Sequence, residues 1–480
     1  MLYNTLEFGF FYVLVFGLYW FATSKNLRLQ NILILIASYF FYGWWDWRFL
    51  GLIMLSSLVD YVAGKKIDDS DDIKTRKRWL HVSLVINLGL LAVFKYYGFF
   101  VDSFIELFRS MGYEVGSRTL QIILPVGISF YTFQTLSYTL DIYRKRFAAE
   151  RDLVAFLAFV SFFPQLVAGP IERASNFLPQ FRKLRTFEFD RAKDGLRQIL
   201  WGLFKKVVIA DTLGVVVDEI TAWHELHPGI ILLMAVFFFA FQLYCDFSGY
   251  SDIAIGTARL MGFDLMRNFN YPYFARDIMD FWRRWHISLT SWFKDYVFLS
   301  LSGGKMVTSK WTLIRNYMIT FTASGLWHGA NWTFVVWGFL HGLYHIPYIL
   351  FPQLKTSVLL TKPPFTVKGT LRAALEMSIT WAMNLFALVF FMSKDIKTAI
   401  SYLSHMFSAS LFTVPMAYRK YMYWMVLFIG VEWLQMYYKK TFPLQIENWH
   451  PVLRWSVYYA LTFVVLYYNY DRRAFIYFQF

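Results

Sequence analysis

Apolar runs of membrane-spanning length recur along almost the whole of this sequence, and a chain built that way has few ways to fold. The candidates are 8–22, 29–45, 49–64, 80–101, 120–140, a weaker run at 153–169, then 198–217, 228–247, 317–326, 332–350, 371–392, 421–436 and 456–468. A bilayer core takes about 20 apolar helical residues to cross, and inside it every backbone group must be satisfied without water. Several runs are too short for that. The expectation is an all-α polytopic membrane protein with roughly eleven transmembrane helices plus re-entrant and interfacial helices. Only 16% of the 480 residues are charged, where soluble domains carry about 25%, which argues against a string of water-soluble domains.

The net charge is +15, yet lysine and arginine are spread through short loops rather than gathered on one module. That is the positive-inside pattern; it makes the lipid bilayer the partner and argues against nucleic acid. Lys65, Lys66, Lys74, Arg76, Lys77 and Arg78 place one loop in the cytoplasm, as Arg144, Lys145 and Arg146 place another, while 102–119 and 215–228 belong outside. The run at 153–169 has basic residues on both sides and Pro164 in its middle, so it reads as a re-entrant or surface segment. No small-residue cleavage site follows the apolar stretch 8–24, which is expected to remain as the first span. The single cysteine, Cys245, excludes an intrachain disulfide and a cysteine-based metal site.

Polar side chains in such segments are costly and are functional candidates by default. They are Asp60, Lys95, Asp141, Glu172, Asp211, Asp246, Asp252, His286, His328, His341 and His345. Asp246 and Asp252 read as carboxylates pairing with a nearby arginine at a helix end. Lys95, near the end of its run, is expected to reach for the interface. His341 and His345 stand one turn apart, a spacing that metal sites use. With no carboxylate or cysteine beside them, packing or hydrogen bonding is the expected role, and no metal is expected.

His286 and His328 differ. From 276 to 296 the text RDIMDFWRRWHISLTSWFKDY puts Ile278, Phe281, Trp282, Trp285, Leu289 and Trp292 at helical spacing, with Arg276, Asp280, Arg283, Arg284 and Lys294 opposite. One helix lying along the membrane surface is expected there, with His286 at the edge of its apolar stripe. His328 sits in GLWHGAN at 325–331, between apolar runs, where Gly325 and Gly329 suggest a helix break with room for a substrate chain. A neutral imidazole in a dry site takes a proton from a hydroxyl attacking an acyl thioester. No GxSxG elbow, phosphate-binding loop or HExxH occurs. A histidine base working directly between two bound substrates is therefore expected.

Seven blocks follow one another over the first 350 residues: ASYFFYGWWDWRFL at 37–50, LPVGISFYTFQTLSYTLDIYR at 124–144, FFPQLVAGPIERAS at 162–175, GLFKKVVIAD at 202–211, DFSGYSDIAIG at 246–256, RNFNYPYFARDIMDFWRRWHISLTSWFKDY at 267–296 and SGLWHGANWTFVVWG at 324–338. In this order they resemble the membrane-bound O-acyltransferase family, and within it the bacterial alginate O-acetyltransferase group. The resemblance implies one membrane domain over 1–480, least matched over 351–480, with helices around a central tunnel. It implies that His328 is the family's catalytic histidine and that His286 faces it. It further implies acetyl-CoA as a cytoplasmic acyl donor rather than a bound cofactor, and an SGNH-type partner outside the bacterial cytoplasmic membrane that acetylates a polysaccharide such as alginate. One block departs: after Asp295 and Tyr296 the group has Pro-Leu-Gly-Gly, whereas this chain reads VFLSLSGGK at 297–305, which bears on donor-side contacts. D-alanyl transfer to teichoic acid is the rival enzyme reading. A transporter or flippase with His328 as proton relay is the rival outside enzymes.

Overall fold

The structure, a computed structural model, describes residues 1–113, 122–305, 307, 309–354, 367–438, 444–468 and 473–478. Their regular elements are all helical. The chain passes through α1 (Leu6–Gly17), α2 (Leu27–Gly43), α3 (Leu50–Asp68), α4 (Ile73–Leu91), α5 (Tyr97–Ser110), α6 (Ile128–Tyr143), α7 (Leu153–Ser161), α8 (Phe163–Leu166) and α9 (Ala174–Phe177). Short polar residues set several starts: Thr5, Asn26, Asp72 and Asp152 each accept from an N–H of the first turn that the helix leaves orphaned. Next come α10 (Phe189–Leu203), α11 (Thr212–Ala222), α12 (Gly229–Leu260), α13 (Ile278–Arg284), α14 (Ile287–Phe293), α15 (Lys310–His328), α16 (Trp332–Leu350), α17 (Val367–Met392), α18 (Ile396–Met406), α19 (Met422–Tyr437) and α20 (Pro451–Tyr468).

Residues 1–195 with 257–266 make one compact unit, and 196–256 with 267–480 another. In the first, a π-helical turn at Ala92–Tyr96 joins α4 to α5, so Ile73–Ser110 is one helical stretch. The extra residue of that turn is absorbed without ending the helix. Lys95 therefore lies well inside a helical stretch, not near its end as the hydropathy run suggests. The first two residues of the run 120–140, and most of the later part of the loop 102–119, lie outside the described residues. Asp60 on α3 is fully buried and accepts from Ser83 and Asn87 of α4 at 2.5 and 2.8 Å; neutral donors offset its desolvation. Asp141 has Arg146 at 3.7 Å.

The segment 153–169 breaks at Phe162, ahead of Pro164, into α7 and α8. Phe156, Phe159, Phe162, Phe163 and Gln165 are all buried. It is an interior element of the first unit, which suits a re-entrant segment and not a surface one. Just beyond it, outside the spanning helices, burial pushes the Glu172 carboxyl up to about 7 against the opposing Met266 N–H, which it accepts at 2.5 Å. A raised carboxyl favours the fold fully below its ordinary value near 4.5, and that contribution is lost as pH rises through 7. Glu172→Gln keeps the acceptor and removes the titration. It should raise thermal stability at pH 8 by up to roughly 3 kcal/mol and change little at pH 4.5. Unfolding curves in detergent at both pH values check this, and an equal shift at both would refute it.

Four helical stretches among the described residues are long and apolar enough to cross a membrane: Trp47–Asp68, Ile73–Ser110, Gly229–Leu260 and Gly369–Met392. Leu6–Ala22, Leu27–Gly43 and Leu153–Leu166 are apolar but shorter. Phe10, Phe21, Val85 and Phe463 stand more than half exposed, as side chains in contact with hydrocarbon do and as few soluble surfaces allow.

Candidate active site

Residues 268–270 decide where His286 goes. The single helix that spacing predicts over 276–295 is two, α13 and α14, with His286 between them in the left-handed region at φ 41°. Backbone competition is the cause: Asn270 N donates to the Arg284 carbonyl at 2.9 Å and Ile287 N to the Asn268 carbonyl at 2.8 Å, so groups that would continue the helix are already bonded. The Asn268 side chain is in turn held by Ser251 at 3.0 Å and Ser288 at 2.6 Å. Histidine enters the left-handed region more readily than most residues, at a strain on the order of 1–3 kcal/mol. The segment is also not a surface helix. Asp280 and His286 are buried, Arg276 bonds Glu376 and Arg284 bonds Asp280, leaving Arg283 and Lys294 exposed.

The turn puts the His286 ring edge-on to Phe247 of α12, with centroids 4.5 Å apart. It lies outside the spanning helices, and burial holds its imidazole down at about 3. His286 is thus neutral at any pH a cell sustains. Both ring nitrogens are buried with no hydrogen-bond partner among the described residues, so their donor and acceptor capacity is not used within them.

His328 is the last residue of α15; Gly329 is extended, and the Asn331 side chain accepts from Thr333 N at 3.0 Å to begin α16. The helix break expected here is present, but the glycines do not open room for a substrate. A Cβ on Gly325 would stand 2.2 Å from the Phe334 carbonyl oxygen, one on Gly338 2.3 Å from that of Phe321, and one on Gly329 2.2 Å from the Phe334 ring. They let α15 and α16 pack backbone to backbone. Gly325→Ala should force the pair apart and lower stability by roughly 1–3 kcal/mol, read as a drop in melting temperature; an unchanged value would mean the helices have slack.

The two imidazoles come together, with ring centroids 6.4 Å apart. A third group joins them that the sequence reading did not single out. Tyr477 lies 5.6 Å from His328 and 6.3 Å from His286, centroid to centroid, and 4.8 Å from Phe247. Burial first, then the carboxylate of Asp246, pushes its hydroxyl well up, so it stays a phenol until a base takes its proton. The only signal for it in the sequence is an aromatic cluster, AFIYFQF at 474–480, after two arginines. A cavity of about 20 Å³ opens among His328, Tyr477, Trp282, Trp337, Trp381 and Phe391. At ~10–15 Å³ per water it holds one or two, and its walls are mostly aromatic.

The remaining candidates are bonded to other side chains or to backbone. Trp282 Nε1 donates to His341 Nδ1 at 3.2 Å, and His345 Nδ1 donates to the His341 carbonyl at 2.7 Å, which matches the packing and bonding expected of that pair. Asp246 and Asp252 pair with lysines, not arginine. Lys205 reaches Asp252 at 2.6 Å, and Lys206 lies between Asp211 at 2.6 Å and Asp246 at 2.7 Å. Both lysines sit on the π-helical turn Phe204–Asp211, brought close because Gly202 and Gly249 have no Cβ to hold α10 and α12 apart.

Two buried imidazoles and a tyrosine ring are thus gathered in one place in a helical membrane protein. The sequence profile of the membrane-bound O-acyltransferase family matches residues 144–393, and the chain belongs to that family. It is an acyltransferase. Among relatives it is 43% identical over 345 residues to "Probable alginate O-acetylase AlgI" of Azotobacter vinelandii, covering 71% of this chain and 67% of the relative. It is 33% identical over 445 residues to the peptidoglycan O-acetyltransferase of Helicobacter pylori, covering 85% and 80%. The teichoic acid D-alanyltransferase of Streptococcus thermophilus shares 30% identity over 239 residues, 47% of this chain and 57% of the relative.

Proposed function

We propose that this chain is a single-domain O-acetyltransferase of the bacterial cytoplasmic membrane. It takes the acetyl group of cytoplasmic acetyl-CoA and delivers it outward, through an SGNH-type partner, to a polysaccharide such as alginate. The observation that carries the reading is Tyr477 beside both His286 and His328, with Tyr477 and His328 lining one small cavity. The names of the relatives similar over most of the chain support acetyl as the group and a surface polymer as the acceptor. The D-alanyltransferase resemblance covers less than half of the chain.

In this reading His328 takes the Tyr477 proton as the phenolate oxygen attacks the thioester carbonyl. His286 donates a hydrogen bond to the oxyanion that forms. The carbon–sulfur bond breaks, the proton passes from His328 to the leaving thiolate, and CoA leaves as a thiol with acetyl on Tyr477. The aromatic ring spreads the charge of a departing phenolate, which a sugar alkoxide cannot do, so the tyrosyl ester keeps the acetyl activated for the next transfer. The test is purified protein in nanodiscs with labelled acetyl-CoA and no acceptor. Label on the Tyr477 peptide is expected. CoA release with no labelled Tyr477 would overturn the tyrosyl step and leave direct transfer between bound substrates. No reaction with acetyl-CoA, even when partner and polysaccharide are added, would overturn the acetyl-donor assignment.

A further inference from the structure

The segment carrying Tyr477 is tied down at a buried ionic cluster that acyl transfer itself does not use. Ile476 N donates to Asp246 Oδ2 at 2.7 Å, while Asp246 Oδ1 lies 2.7 Å from Lys206 Nζ. Lys206 also bonds Asp211 at 2.6 Å. All three side chains are buried. Lys206 sits between the two carboxylates and holds Asp246 in place, and the Ile476 N–H donates to the other oxygen of the Asp246 carboxylate, a bond of the charge-assisted kind. The next residue of α12, Phe247, packs its ring against both His286 and Tyr477. Phe475 is wholly buried against Phe247 and Tyr250, at 5.6 and 4.6 Å between centroids. At the other end of the segment Arg473 pairs with Asp218 at 2.7 Å. Two adjacent residues of α12 thus fix the backbone before Tyr477 and the ring beside it.

We propose that Asp246, held in place by Lys206, is a positioning residue that presents the Tyr477 hydroxyl to the histidine pair; this rests on the reading of Tyr477 as acetyl acceptor. Asp246 touches no substrate. It acts by holding one N–H, and a misplacement of about 1 Å costs as much as 10²-fold in rate.

The experiment compares wild type, Asp246→Ala, Asp246→Asn and Ile476→Pro in nanodiscs. It reads the rate of Tyr477 labelling, the KM for acetyl-CoA and the melting temperature. Asp246→Ala should slow labelling by roughly 10²-fold with KM unchanged. Asp246→Asn, whose side-chain oxygen still accepts the N–H, should recover part of the loss. Ile476→Pro, which deletes the N–H and leaves Asp246 intact, should repeat the Asp246→Ala defect, and decides the matter should that variant fail to fold. Wild-type labelling rates in folded Asp246→Ala or Ile476→Pro would overturn the positioning role alone, as would a rise in KM that accounts for the whole defect. A wild type that carries no label on Tyr477 would overturn the acceptor reading and this proposal together.

Discussion

His328→Ala should lower the rate of acetyl transfer by 10²- to 10⁴-fold, the usual range for removal of a positioned acid or base, with little change in the KM for acetyl-CoA. The imidazole is enclosed by Trp327, Trp337, Phe391 and Tyr477 at 5.0 to 5.6 Å between centroids, so truncation leaves a void as well as a missing base. Losses from such voids run to about 2–5 kcal/mol. Folding must therefore be shown by thermal unfolding before the rate is read. His328→Gln fills more of the space and cannot take the phenol proton; it should share the catalytic loss while keeping more of the stability. Turnover equal to wild type in either folded variant would remove His328 from the chemistry.

Tyr477→Phe is the sharper test, because it removes one oxygen and no volume. Its ring stacking with Phe475, 5.4 Å and 26° between planes, and its contact with Phe247 do not involve the hydroxyl. Melting temperature should stay within a degree or two, while acetyl transfer falls by about 10³-fold or more, the scale seen when a covalent nucleophile is deleted. Residual release of CoA without transfer would fit water entering the vacated oxygen position. Full activity would mean that the acetyl group passes without touching the tyrosine.

The apolar runs were legible because hydropathy is local: each helix announces itself whatever it packs against. The same holds for the end of α15, where a glycine follows His328 and Asn331 opens the next helix. Other features depend on partners far along the chain. The break at His286 exists because the backbone of 268–270 takes bonds that helical spacing alone cannot foresee. Gly325 reads as looseness in isolation and becomes close packing only beside Gly338. Tyr477 is 149 positions from His328, and its place rests on Asp246, a residue that by itself reads as one half of an ion pair. The family blocks pointed to both histidines, since their surroundings are contiguous in the chain; the tyrosine belongs to the poorly matched stretch beyond 350.

The left-handed turn at His286 changes how substitutions there must be interpreted. Alanine removes the imidazole and also installs a residue that resists φ 41°, so an inactive His286→Ala protein confounds lost chemistry with a refolded turn. Asparagine occupies that conformation readily and carries an amide that both donates and accepts. It isolates the chemistry. The same reasoning limits what the position can hold: of the few residue types at ease in this backbone, glycine brings no side chain and aspartate brings a charge to a buried site. The choice narrows to histidine and asparagine, so geometry and reactivity select the same short vocabulary at this one point in the chain.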